Sequence, residues 1–92
     1  MGWLIAFDPA KRDRTLAERG LDFARVGEIF AGRHLTTHDD RAEYGEDRFV
    51  TIGRLGNRIV VVVWTPRGSV LRIISMRKAN ERESKKFASY LD

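Results

Sequence analysis

The chemistry open to this chain is written mainly in guanidinium groups. Arg48, Arg54, Arg58, Arg67, Arg72 and Arg77, followed by Lys78, fall in or beside segments rich in β-branched residues. The densest stretch is Arg72 to Glu83, RIISMRKANERE, an apolar strand that ends in cations and leads into a helix start. A strand that projects Arg77 and Lys78 at its end fixes positive charge at one point, which is what phosphate chemistry requires. Groups for other chemistries are scarce. There is no cysteine, so disulfides and thiolate metal sites are excluded, in keeping with a reducing, cytoplasmic setting. His34 and His38 are four apart, and in a strand that spacing holds them about 13 Å from each other, too far to share one ion even with Asp39 and Asp40 nearby. Neither G-x-x-x-x-G-K-[ST] nor G-x-G-x-x-G occurs, so nucleotide-cofactor folds have no support. The expectation is a protein with no metal and no cofactor.

The elements that must position these cations can be read along the chain. Trp3 to Phe7 is a short apolar run closed by Asp8-Pro9, and Asp at an N-cap with Pro at the first helical position predicts a helix from about Pro9 to Arg19, stopped by Gly20. Its apolar content is thin, only Ala10, Leu16 and Ala17, so it belongs on the surface. Asp22 then caps a second helix in which Phe23, Val26, Gly27 and Phe30 recur at helical spacing, and Gly32 ends it. Leu35 to His38 reads as a short strand and Asp39 to Asp47 as an acidic loop. Three better strands follow: Arg48 to Leu55, Arg58 to Thr65 and Val70 to Arg77. Gly56-Asn57 turns the first pair, and Thr65-Pro66-Arg67-Gly68 reads as a tight hairpin with Arg67 at its tip. Asn80 and Glu83 have the spacing of a capping box, and Phe87, Tyr90 and Leu91 form the only apolar stripe of the last helix. The architecture is α+β: a small antiparallel sheet with helices packed on one face, in the order βααββββα.

Charge and size narrow the function. Ninety-two residues make a single domain, 1–92, with one modest core. With 42% hydrophobic and 33% charged residues, and no apolar run near the roughly 20 residues that a bilayer needs, neither a membrane span nor a disordered tail fits. Nothing resembles an export signal. The net charge of +4 hides an asymmetry: residues 1–47 carry seven Lys or Arg against ten Asp or Glu, and residues 48–92 carry ten against three. A pI near 10.0 with its cations in one half suits a polyanionic partner.

Strict alternation along the last strand puts Leu71, Ile73, Ser75 and Arg77 on one side and Arg72, Ile74 and Met76 on the other. Each side has two large apolar residues, so alternation leaves open which is buried. Guanidiniums on a sheet face or rim, without an obvious base, suit cleavage of RNA by its own 2′-hydroxyl. There the substrate supplies the nucleophile, and the protein orients the backbone and stabilises charge. The other reading of the same residues is structural: Arg72 and Arg77 lie along the strand surface, or pair with Glu81 and Glu83.

Several blocks of the sequence go further. Phe7-Asp8-Pro9-Ala10-Lys11, Gly20 with Phe23 and Phe30, Arg48-Phe49-Val50-Thr51-Ile52-Gly53, Val60 to Val63, Thr65, Arg67-Gly68, Arg72-Ile73-Ile74-Ser75, Arg77-Lys78-Ala79 and Glu83 follow one another over nearly the whole chain. On these blocks it resembles the BrnT toxins of bacterial type II toxin-antitoxin systems, whose fold is similar to that of the RelE ribonucleases. The resemblance implies a cytoplasmic ribonuclease that inhibits translation and growth. It implies as partner a cognate ribbon-helix-helix antitoxin, in a hetero-oligomer that binds operator DNA through the antitoxin, and as substrate RNA. It carries Lys11, Arg48, Thr65, Arg67, Ser75, Arg77, Lys78 and Glu83 over as site residues; on physical grounds Arg67, Arg77, Arg48 and Lys11 are expected to form the catalytic set, and Lys78, Arg72, Thr65, Ser75 and Arg19 to contact RNA. Glu83 is either a cap or a base. The family usually has Asn, Lys and His near the end of the first helix, where this chain has Thr15, Glu18 and Arg19. A tyrosine common in its last helix is Phe87 here, with Tyr90 one turn away. An arginine cannot shuttle protons as a histidine does, so the alternative is a toxin-fold binding module that cleaves weakly or not at all.

Overall fold

The computed structural model of the protein describes residues 4–41, 43 and 45–91, with the side chain of residue 91 left out. Trp3, at the start of the expected first strand, and the Leu91 side chain of the last helix's stripe lie outside the described residues. The elements run β1 (Ile5–Ala6), α1 (Pro9–Arg19), a 3-10 turn (Phe23–Arg25), α2 (Val26–Ala31), β2 (His34–His38), β3 (Phe49–Leu55), β4 (Arg58–Arg67), β5 (Val70–Lys78) and α3 (Glu81–Leu91).

The first helix forms as its caps dictate. The Asp8 carboxylate accepts the Ala10 N–H at 3.0 Å, Pro9 opens the first turn, and Gly20 ends it at φ +69°, where its N–H donates to the Leu16 carbonyl. No residue of α1 is buried. The helix is held instead by Arg12, which donates to both Asp22 oxygens at 2.8 and 3.0 Å, while Asp22 also accepts the Ala24 N–H and so caps the 3-10 turn. Phe23, Val26, Ile29 and Phe30, with Leu21, then bury their side chains against Val60, Val62, Ile73 and Met76 of the sheet. Thr51 is fully buried beneath them; its hydroxyl meets those of Thr36 and the Trp64 indole N–H at 2.7 and 2.8 Å, so no polar atom of that group is stranded.

The sheet has five strands in the order β1-β5-β4-β3-β2. Two expectations need correcting. The sheet is mixed and not antiparallel throughout, because β1 runs parallel to β5, with Ile5 opposite Leu71 and Ala6 opposite Arg72. A two-residue strand says nothing locally about a partner more than sixty positions away. The helices also do not share one face. Phe87 of α3 is 1% exposed, yet it stands apart from the main core and lines a groove with Leu35, Val50, Ile52 and Val61, which are on the other side of the sheet. Helices α1 and α2 therefore cover one face, and α3 part of the opposite one.

Two details of β4 and β5 matter for the site. Arg67 pairs with Val70 across a two-residue turn, Gly68-Ser69, with Gly68 at φ +61°, so Arg67 is the last strand residue and not the hairpin tip. The register between the strands also shifts once. Val63 pairs with Ser75 but Trp64 pairs with Ile73, leaving Ile74 as a bulge.

Helix α2 can approach β3 because residue 53 has no side chain: a Cβ there would stand 2.6 Å from Ile29 Cγ2 and 3.2 Å from His34 Cβ. Gly53→Ala is expected to destabilise the fold by about 1–3 kcal/mol through overpacking of a core with little room to yield. A denaturant titration that finds the variant's midpoint equal to wild type would contradict this packing.

Candidate functional site

The bulge sorts the arginines. Without it, Leu71 and Ile73 would share a side with Ser75 and Arg77. With it, Leu71, Ile73 and Met76 all turn to the main core, and Arg72, Ser75 and Arg77 turn to the opposite face. Across the sheet these meet their partners in register: Arg77 lies opposite Val61, Ser75 opposite Val63, Arg72 opposite Thr65 and Val70 opposite Arg67. Arg48 immediately precedes Phe49, which pairs with Trp64 on the core side, so alternation turns Arg48 to the same face as Thr65. Arg48, Thr65, Arg67, Arg72, Ser75 and Arg77 thus project from one side of three adjacent strands.

Arg77 is held tightly. Its Nη1 and Nη2 donate to the two Glu83 oxygens at 2.8 Å each, and Nη1 also reaches the Lys78 carbonyl at 3.3 Å. Glu83 in turn accepts the Asn80 N–H at 2.9 Å, and its own N–H donates to Asn80 Oδ1 at 2.8 Å, completing the capping box of α3. The Arg77 bonds, helped by the Asn80 N–H and opposed by burial, hold the Glu83 carboxyl down to about 2. Such a group is a cap and counter-ion, and a poor proton acceptor near neutrality. Arg77 is pushed up by the same hydrogen bonds, while nearby Arg41 pulls the other way. Arg41, Ser75, Arg77 and Glu83 line one cleft of about 390 Å³, with His38 also on its wall. The His38 ring packs edge-on against Phe49 and its Nε2 lies 3.3 Å from Asp47.

The acidic segment after β2 folds back over the far end of this face. Thr65 is fully buried and its hydroxyl donates to the Asp47 carbonyl, and Arg67 reaches Glu46 at 3.3 Å. Asp39 is buried and accepts a paired contact from Arg41 at 2.8 and 2.9 Å, which anchors the start of the segment.

A second group gathers at the edge of β5 beyond the short β1. Lys11, Arg14 and Arg19 of α1 line a narrow cleft of about 190 Å³ with Ile74 and Ser75. Arg19 Nη1 donates to the Met76 carbonyl at 2.8 Å, so this side chain occupies a backbone acceptor on the open strand edge. Ser75 borders both clefts and joins them.

Two residues grouped with these in sequence are parted in space. Lys78 pairs with Val60 and turns to the opposite side from Arg77, as adjacent strand residues must. Tyr90 lies near the far end of α3, its ring centre 5.8 Å from the Arg33 guanidinium, two helical turns beyond Glu83. Arg14 and Arg41 were not anticipated. The first had a signal, since it is three residues after Lys11 and so on the same helix face; Arg41 sits in a segment with no periodicity and had none. Among the described residues no group of three or more His, Asp or Glu is placed to hold a metal ion.

Residues 7–83 match the model of a family described as the ribonuclease toxin BrnT of type II toxin-antitoxin systems. No curated protein matches the chain.

The depressed Glu83 carboxyl has a consequence for stability. Its ordinary value of 4.5 falls to about 2 on folding, so the Arg77–Glu83 pair stabilises the native state fully above pH ~4.5 and loses that contribution as pH falls toward 2. Wild type should therefore exceed Glu83→Gln in melting temperature at pH 7 by a margin that shrinks between pH 4.5 and pH 2. A margin that stays constant across that range would contradict the pair's role.

Proposed function

Because the chain belongs to the BrnT family of ribonuclease toxins of type II toxin-antitoxin systems, we propose that it is an endoribonuclease that arrests translation and growth by cutting RNA at the arginine face of its sheet. It does so without a metal, and a ribbon-helix-helix antitoxin silences it in the cytoplasm and carries the complex to operator DNA. The likeness to the RelE ribonucleases is part of the same proposal. The observation that supports it most directly is the common face of Arg48, Thr65, Arg67, Arg72, Ser75 and Arg77.

In this reading the substrate's 2′-hydroxyl gives its proton to solvent water and attacks the adjacent phosphorus, the O2′–P bond forms, and the P–O5′ bond breaks, the departing O5′ taking a proton from water to leave a 2′,3′-cyclic phosphate and a 5′-hydroxyl. Negative charge grows on the phosphoryl oxygens, and Arg77 and Arg67 neutralise it. Glu83 uses two of the five guanidinium N–H groups of Arg77 and the Lys78 carbonyl a third, which leaves the Nε–H and one Nη2–H for a phosphate oxygen. Glu83 is then a positioning residue, holding Arg77 in one plane. Arg48 and Arg72 steady the backbone, Thr65 and Ser75 shape the face, and Lys11, with Arg19, holds flanking phosphates at the open edge of β5, whereas Lys78, turned to the other side of the strand, takes no part at the arginine face. Neither an arginine nor a carboxyl held near 2 takes the 2′-hydroxyl proton efficiently, so orientation and charge carry the rate.

One observation favours a second reading. Arg19 stands where the family usually has histidine, and it is occupied with the Met76 carbonyl, so the chain retains the fold and partner binding while cleaving little. Induced expression and an RNA digest in excess chelator separate the two. The enzyme reading expects growth arrest, products ending in cyclic phosphate that persist in chelator, and a loss of about 10²–10³-fold in kcat for Arg77→Ala and for Arg67→Ala. Abundant folded wild type that neither cuts RNA nor slows growth would leave the binding module.

A further inference from the structure

Strand β2 is an outer strand of the sheet, and among the described residues nothing pairs with its far side. The Asp39 N–H donates to the Arg48 carbonyl at 2.8 Å, one position beyond the His38–Phe49 pair, so Asp39 and Arg48 continue the ladder as a hydrogen-bonded pair. Backbone direction alternates along a strand. Leu35 and Thr37 therefore turn their N–H and C=O toward β3, and His34, Thr36 and His38 turn theirs outward. The five residues, HLTTH, contain no lysine, no proline and no bulge, the devices that usually blunt an exposed edge.

Beside this edge lies an unfilled apolar groove of about 330 Å³ on the face that α3 shares, lined by Leu35, Val50, Ile52, Val61 and Phe87. Phe87 is the only fully buried side chain described on α3, so the helix covers the face only in part, and Leu35 is 36% exposed. The charges that flank β2 differ between its ends: Arg33, stacked on Tyr90, precedes it and the exposed Asp40 and Glu43 follow it, while Lys86 and Glu83 border the groove itself.

We infer that this is where the antitoxin docks: one extended segment of it adds to β2 as a sixth strand and places apolar side chains, at alternate positions, into the groove over Leu35, Ile52 and Phe87. The charges at the two ends of β2 specify the segment further, with an acidic residue beside Arg33 and a basic one beside Asp40 and Glu43. A second copy of this chain is a poorer occupant, because its own β2 would offer only Leu35 and Thr37 to that side and leave the groove unfilled. Val61 and Glu83 border both this groove and the cleft of Arg77, so a chain seated here walls off the arginines and silences them without touching each one. The inference rests on the toxin-antitoxin reading above.

The test titrates the small protein encoded beside this gene into wild type, Thr36→Pro and Leu35→Lys by calorimetry, each variant first matched to wild type in melting and in RNA cleavage. Proline at 36 removes an outward N–H and spares the ladder to β3; it also removes the Thr36–Thr51 bond, but Thr51 keeps the Trp64 indole N–H. Each variant is expected to bind at least tenfold more weakly. In wild type, antitoxin is expected to slow amide exchange at His34, Thr36 and His38, a readout that stands even where Thr36→Pro does not fold. Binding within twofold of wild type for Leu35→Lys with no added protection at those amides overturns the proposal. So does a free toxin that is dimeric and becomes monomeric in Thr36→Pro. A wild type that cuts no RNA but loses the partner in both variants sinks the enzyme reading and keeps the docking site; intact cleavage with unaltered partner binding does the reverse.

Discussion

The register between β4 and β5 shifts by one residue between Val63 and Trp64, and the chemical character of each sheet face depends on that shift. Ile74 has no partner opposite it. The residues before it, Leu71 and Ile73, and the residue after it, Met76, can therefore all reach the same core, although strict alternation would divide them. The same displacement brings Arg72 into line with Ser75 and Arg77. Buried apolar area on one face and converging cations on the other are two results of a single inserted residue, so the hydrophobic core and the arginine face cannot be changed independently.

Two tethers then fix the cations against that sheet. At the end of β5, Glu83 closes a ring of hydrogen bonds that includes Arg77, the Asn80 backbone and the start of α3, so the helix cap and the orientation of the guanidinium are one structure. At the other end, the acidic segment lies over Thr65 and Arg67 through Asp47 and Glu46, and Asp39 anchors its root. The arginine face is thus already neutralised in part by carboxylates of the same chain. In the proposed reading a phosphate competes with them, which favours binding only where the backbone geometry also fits.

Local rules carried much of the fold. Asp8-Pro9 with Gly20, Asp22, and Asn80 with Glu83 mark helix boundaries through hydrogen bonds between residues two to four apart, and Val-rich segments mark β3 to β5. The features that local rules missed are those that need distant partners. The parallel pairing of β1 with β5 joins residues at opposite ends of the chain, the side taken by α3 is decided by where Phe87 finds apolar surface, and the hairpin closed at Gly68-Ser69 because the pairing of Pro66 with Leu71 extended β4.

For the site, the sequence by itself determined which residue types are present and that cations, not metal ligands or cofactor loops, dominate the second half of the chain. Composition and short spacings are properties of the chain alone, and so is the capping box that sets Glu83 beside Asn80. Only the tertiary structure decided which cations meet. Arg77 and Lys78, neighbours in sequence, part to opposite faces, while Arg48, Arg67, Arg72 and Arg77, spread over thirty positions, share one. Lys11, Arg14 and Arg19 reach the same strand from its open edge. The physical reason is that a side chain's direction in a sheet follows from register, and register is set by cross-strand pairing and by one bulge that no local pattern announces.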